Sequence, residues 1–197
     1  MQLAVLKRKL LKTTELGIKN ILMRIFKFEN WHRYSLYDRL YGLEIIKYCN
    51  NCGHKNRIIE IGCGLGDLLR NIHFKKRIGL DSEKNVLIAA RLYAYITFQF
   101  DISYQLFNFP STPLIGKHDI ILMVNWNHQT APDLLKKYFV KYFNNNLNEN
   151  GCIIMDTVDN KDYEYNHDIN FLTDSIDCKL TKLGTYTYNR SIWIILK

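Results

Sequence analysis

The chain has 197 residues, 47% of them apolar and 23% charged, a globular composition that excludes disorder and coiled coil. Its formal net charge of +8 is uneven: residues 1–33 hold eight of the 27 bases and two of the 19 acids, which leaves the other 164 residues at only +2. The body therefore lacks the broad basic surface with which proteins displace nucleic-acid counterions.

In chain order, the first segment is a basic arm. Leu3, Leu6, Leu10, Ile18, Ile21, Leu22, Ile25 and Phe26 recur at helical spacing with lysines between them. The spacing predicts a helix packed on the body with a solvated basic face. Two other readings remain open: an interfacial helix drawn to anionic lipid, and an arm that touches RNA. Lys7, Arg8, Lys9 and Lys12 interrupt the leucines, so no signal peptide is expected here. No apolar run approaches the ~18 residues of a membrane span. The five cysteines, Cys49, Cys52, Cys63, Cys152 and Cys178, are odd in number and scattered, as in a reducing compartment. A cytoplasmic protein is expected, peripheral at the inner face of the membrane if the arm binds lipid. Residues 1–50 are read as arm and lid, and residues 51–197 as the ligand-binding domain.

After Trp31-His32, a second helical pattern through Leu36, Leu40, Leu43 and Ile46 ends at Asn50-Asn51-Cys52-Gly53. Short apolar runs then alternate with helices. The strands predicted are Arg57–Ile61, Arg77–Leu80, Ile96–Phe100, Asp119–Val124 and Cys152–Asp156. The helices predicted are Asp67–Phe74, Asn85–Tyr95, Pro132–Phe143 and about Asp168–Ile176, with Asn144-Asn145-Asn146 as a loop. Strands apolar on both faces between helices signify a parallel sheet covered on each side. Lys179–Tyr188 and Ser191–Lys197, separated by a short turn, must pair antiparallel. The fold class expected is α/β: a Rossmann-like, doubly wound, seven-stranded sheet closed by a C-terminal antiparallel hairpin.

The chemistry centres on Glu60-Ile61-Gly62-Cys63-Gly64-Leu65-Gly66-Asp67. Glycines permit a tight turn and close approach to a ligand, and the carboxyl ends of parallel strands are where ligands bind. Asp81, followed by Ser82, ends the second strand and can accept from both hydroxyls of a ribose. Asp101-Ile102 is expected to end the third strand and to meet the exocyclic amine of a purine. The third glycine comes one residue too early for the dinucleotide pattern G-x-G-x-x-G. Glu60 would also repel a pyrophosphate. A carboxylate there suits a ligand with a cationic amine and no phosphate, which describes S-adenosylmethionine.

Glu60 through Gly66 resembles the first motif of class I S-adenosylmethionine-dependent methyltransferases, and the likeness extends over about residues 55–197. It implies that Glu60, Gly62, Cys63, Gly64, Gly66, Asp81, Ser82, Asp101, Ile102 and Asn125 bind the cofactor. The arm and Trp31-His32 are similar to small methyltransferases of bacterial surface-polysaccharide pathways, a looser likeness.

For the acceptor, His128 after the fourth strand is the first candidate for general base, with His167 and His32 as substitutes. Asp156, Asp159 and Asn160 resemble loosely a magnesium site. With Asn125 in place of an acid, they fall short of charge for a hard cation, and no metal is expected. Cys49-x-x-Cys52-Gly53-His54 lacks the second half of a zinc ribbon. Prolines stand only at 110, 113 and 132, so neither an N/D-P-P-Y sequence for amino-methylation of adenine nor a Pro-Cys nucleophile occurs. No Tyr-x-x-x-Lys pair supports a nicotinamide reductase. The expected activity is O-methylation of a small molecule such as a sugar or sugar nucleotide. The alternatives are an RNA or protein methyltransferase and a catalytically inactive binding module.

Overall fold

The computed structural model describes residues 2–53 and 55–197, with the side chains of residues 2–5 and 7 outside the description. The chain opens with helix α1 (Gln2–Phe26), which contains no proline and stops where Lys27 turns to a φ of 57°. Two single 3-10 turns (Asn30–Arg33 and Leu36–Asp38) lead into α2 (Leu40–Asn51). The strands are β1 (Arg57–Ile61), β2 (Lys76–Asp81), β3 (Ile102–Leu106), β4 (His118–Met123), β5 (Leu147–Thr157), β6 (Lys179–Tyr186) and β7 (Arg190–Leu196). Between them lie α3 (Lys84–Ile96), α4 (Pro132–Asn146) and α5 (Ile169–Thr173).

The seven strands form one sheet in the order β3-β2-β1-β4-β5-β7-β6. β1 to β5 run parallel, and β7 runs antiparallel to both β5 and β6. Buried residues alternate across the sheet with the strand period of two. Ile58, Ile120, Leu122 and Ile154 pack toward Ile45 of α2 and Leu87 of α3. Ile59, Ile121, Met123 and Ile153 pack toward Phe139 of α4 and Leu172 of α5. α1 lies outside this double winding and packs on α3, where Leu22 meets Val86, Ala89 and Tyr93. No helix among the described residues is long and apolar enough to cross a membrane.

Three predicted elements differ from the structure. Residues 96–100 end α3 and form a turn, with Phe98 at a φ of 58° and 80% exposed, so the third strand starts later. Residues 67–74 make turns and one 3-10 turn (Leu69–Asn71) instead of an α-helix. Side chains satisfy the carbonyls that a helix would use: Arg77 Nη1 donates to Leu69 O (2.9 Å) and Ile72 O (3.1 Å), and Asn71 Nδ2 donates to Asp67 O (2.8 Å). The asparagine tract is the last turn of α4 and feeds β5 directly, with Asn146 Nδ2 donating to Leu114 O at 3.0 Å. Cys49 is buried in α2 and Cys52 follows that helix, while His54 lies outside the described residues.

Candidate functional site

At the carboxyl end of β1 the chain leaves the sheet hugging β2, with the Gly62 and Cys63 N–H groups donating to Leu80 O at 2.8 and 2.9 Å. Gly62, Gly64 and Gly66 hold φ values of 74°, 53° and 72°, a region that L side chains avoid. Close packing adds a second constraint. A Cβ on Gly62 would lie 2.6 Å from Trp126 Cδ1, and one on Gly64 would lie 2.9 Å from His32 Nδ1. Tyr104 stands against Gly66 in the same way, so three rings rest on the loop: Trp126 from beyond β4, His32 from the N-terminal segment and Tyr104 from β3. Cys63 is buried, and burial pushes its thiol well up, so it packs as an apolar group.

Asp81, buried at the end of β2, stitches this turn together. Its Oδ2 accepts from Gly64 N–H at 2.8 Å and its Oδ1 from Glu83 N–H at 3.0 Å. Each carboxylate oxygen keeps a second lone pair free for a hydroxyl. Ser82 is exposed beside it.

Behind the loop is a buried ion cluster. Asp67 accepts from Lys19 Nζ at 2.7 Å, from Arg70 Nη2 at 2.6 Å and from Arg39. Burial pushes this carboxyl up, but the three cations outweigh burial and hold it below the usual range. Lys19 is fully buried; it also reaches Glu15 at 2.7 Å and donates to Tyr34 O at 2.9 Å. Helix α1 is thereby fastened to the glycine loop. Glu60, by contrast, is buried with Oε2 unpartnered, and burial first, then Asp67 and Asp81, push its carboxyl well above the ordinary value. Trp126 Nε1 is also buried without a partner. An acceptor short of a donor, at the end of β1 beside a backbone turn, fits a ligand that carries a cationic amine.

The expectation for Asp101 and Ile102 is corrected. Both stand at the amino end of β3, where Asp101 pairs with Arg77, so they lie at the sheet edge opposite the glycine loop. The strand end beside Asp81 belongs to Phe107, whose N–H donates to Asp81 O at 2.9 Å, followed by Asn108.

A second cluster forms where β4 and β5 end and β7 begins. Asn125, at a φ of 73°, donates its N–H to Asp156 Oδ1 (2.9 Å) and accepts from Tyr41 OH (2.9 Å). Asp156, fully buried, also pairs with Arg190 and accepts from Asn127 Nδ2 at 3.2 Å. Its commitment to these partners removes it from any magnesium set. Arg190 Nη2 donates to Tyr163 OH at 3.3 Å, and the Tyr163 ring lies 4.2 Å from that of His128. Burial, then Arg190 and His167, bring His128 down to about 4, so it is neutral at physiological pH. His167 places Nε2 2.9 Å from Asn127 O and is lowered by burial. His32 sits elsewhere: it covers Gly64, places Nε2 3.2 Å from Glu83 and stacks on Trp31, beside Asp81. Burial lowers it to about 4.

Sequence reasoning missed Tyr41, Tyr163 and Arg190. The available signal was weak: one arginine in the hairpin turn, a strand away from Asp156.

No family model matches the chain, and no curated protein matches it. Solved structures do. The N-methyltransferase NodS from Bradyrhizobium japonicum, in complex with S-adenosyl-l-homocysteine, superposes with a TM-score of 0.67 at 12% identity, over 91% of this chain and 97% of that one. Magnesium protoporphyrin IX methyltransferase from Synechocystis, with bound SAM, gives 0.64 at 11% identity over 96% of each chain. A putative O-methyltransferase from Nostoc punctiforme gives 0.67 at 12% identity, over 85% of this chain and 60% of that one. With this strand order and these neighbours, the chain has the class I methyltransferase fold.

Proposed function

We propose that the protein is an S-adenosylmethionine-dependent methyltransferase that acts on a hydroxyl of a small molecule such as a sugar or sugar nucleotide. The observation that carries this reading is Glu60: a buried carboxyl whose Oε2 has no partner, where a glycine turn leaves β1, with Asp81 across the turn. Glu60 would hold the cofactor's amine and Asp81 its ribose, while the positive φ of Gly62 and Gly64 makes the turn that brings the two carboxyls to one strand end. The cofactor supplies, when bound, a methyl group on a cationic sulfur. His128 is neutral and can take the proton of an acceptor hydroxyl. Asp156 fixes the preceding loop through Asn125 and Asn127. The small charge of the body, +2 outside residues 1–33, supports a small acceptor over RNA.

A second reading, a binding module without turnover, is favoured by the Trp126 and His32 rings that rest on Gly62 and Gly64. Calorimetry tests the cofactor site that both readings share, and a methyl-transfer assay separates them. S-adenosylhomocysteine should bind and NAD should not, and Asp81→Ala should weaken binding by ~1–3 kcal/mol, the scale of lost charge-assisted hydrogen bonds. Unchanged affinity in that variant overturns the cofactor site. Binding with no methyl transfer to any of a panel of sugars, sugar nucleotides and other hydroxyl acceptors leaves the module reading.

A further inference from the structure

Helix α1 has two faces of opposite character. Its inner face carries Glu15, Lys19 and Leu22, all buried against the body. Its outer face carries Leu6, Leu10, Thr14, Gly17, Ile21 and Ile25, all exposed, at successive steps of 4, 4, 3, 4 and 4 residues. Those steps trace one continuous line along a helix of 3.6 residues per turn, roughly 28 Å long from Leu6 to Ile25. Leu10 is 66% exposed, Ile21 58% and Ile25 60%, so this is an apolar stripe that the body does not cover. The buried Lys19–Asp67 pair fastens the helix, so the stripe is presented by an ordered rod.

The charges around the stripe indicate what it meets. The only acid in α1, Glu15, is buried, whereas Arg8, Lys9, Arg24 and Lys27 in and just beyond the helix are exposed. At the carboxyl end of α1 an open groove joins Arg24 and Lys27 to the exposed rings of Trp31 and Tyr34, with one exposed acid, Glu29, accepting from Trp31 Nε1. Aromatic rings with a polar edge, next to cations and at the end of an apolar stripe, are the composition favoured at a lipid headgroup layer. A second copy of the chain would bring cations against cations, so self-association through this face opposes its own charge.

We infer that α1 is an interfacial helix that docks the protein on an anionic lipid bilayer, with Leu10, Ile21 and Ile25 entering the acyl boundary and Arg24 and Lys27 meeting headgroup phosphates. This inference is independent of the methyl-transfer reading and can stand or fall alone.

The test is co-sedimentation of the full chain with vesicles of phosphatidylglycerol and phosphatidylcholine, compared with vesicles of phosphatidylcholine alone. Binding should require the anionic lipid and weaken as salt rises. The double variants Ile21→Glu/Ile25→Glu, which puts carboxylates at the acyl boundary, and Arg24→Glu/Lys27→Glu, which reverses two headgroup contacts, should each reduce partition by ~10-fold or more. Both pairs are solvent-facing, so the melting temperature should stay at the wild-type value, and a folded variant makes the comparison valid. Absence of wild-type binding to anionic vesicles overturns the inference. So does equal binding to neutral ones, or a stable dimer in solution that Ile21→Glu/Ile25→Glu dissolves.

Discussion

Glu60→Gln separates stability from ligand binding at a single position. In the folded chain this carboxyl is buried, lacks a partner at Oε2 and is pushed well above its ordinary range, by burial first. In the unfolded chain it ionises near 4.5. A group whose folded pKa is raised contributes stability below its unfolded value and loses it as pH rises toward its folded value, at about 1.4 kcal/mol per unit. Glutamine keeps the shape and cannot ionise, so it escapes that loss. Urea unfolding should find the variant more stable than wild type by ~1–3 kcal/mol at neutral pH, the scale of a buried unsatisfied group, with the gap closing toward pH 4.5. On the proposed site, the same change should weaken S-adenosylhomocysteine binding by ~10-fold, because an amide offers no charge to an amine. A variant whose stability relative to wild type does not rise from pH 4.5 to pH 7 would refute the reasoning, since Glu60 would then lose no proton-linked stability over that range.

Other outcomes follow from the same geometry. Lys19→Met leaves Asp67 with two of its three cations and Glu15 with none at 2.7 Å, so it should cost about 3–5 kcal/mol, read by urea denaturation. His128→Ala should lower turnover by roughly 10²-fold with cofactor affinity intact; full activity would remove it as the base. His32 and His128 are lowered to about 4 from 6.5, so the unfolded chain takes up protons first. Stability should therefore fall as pH drops from 6.5 to 4, by up to about 1.4 kcal/mol per unit for each ring, and equilibrium unfolding across that window measures it.

The parallel, covered sheet was legible because Ile58–Ile61, Ile120–Met123 and Ile153–Met155 place apolar residues on both faces, which only a covered sheet rewards. The glycine turn and Asp81 were legible for a related reason: their spacing is a local constraint. What escaped was decided by partners distant in sequence. Phe98 and Phe100 look like strand residues, yet both point to solvent after α3. Residues 67–74 have helical composition, but Arg77 takes their carbonyls. Asp101 was assigned to the wrong sheet edge because the third strand begins, rather than ends, beside it. The Asp156–Arg190 pair depends on two strands that meet only once the antiparallel hairpin is in place.

The Lys19–Asp67 bond joins residues 48 apart in sequence and makes one helix serve two masters. The inner side of that helix props the turn where the cofactor would rest, and its outer side faces whatever the protein settles on. Thermodynamic reciprocity then binds the two events: if settling shifts the helix and alters ligand affinity by some factor, filling the turn must alter the grip on the surface by that same factor.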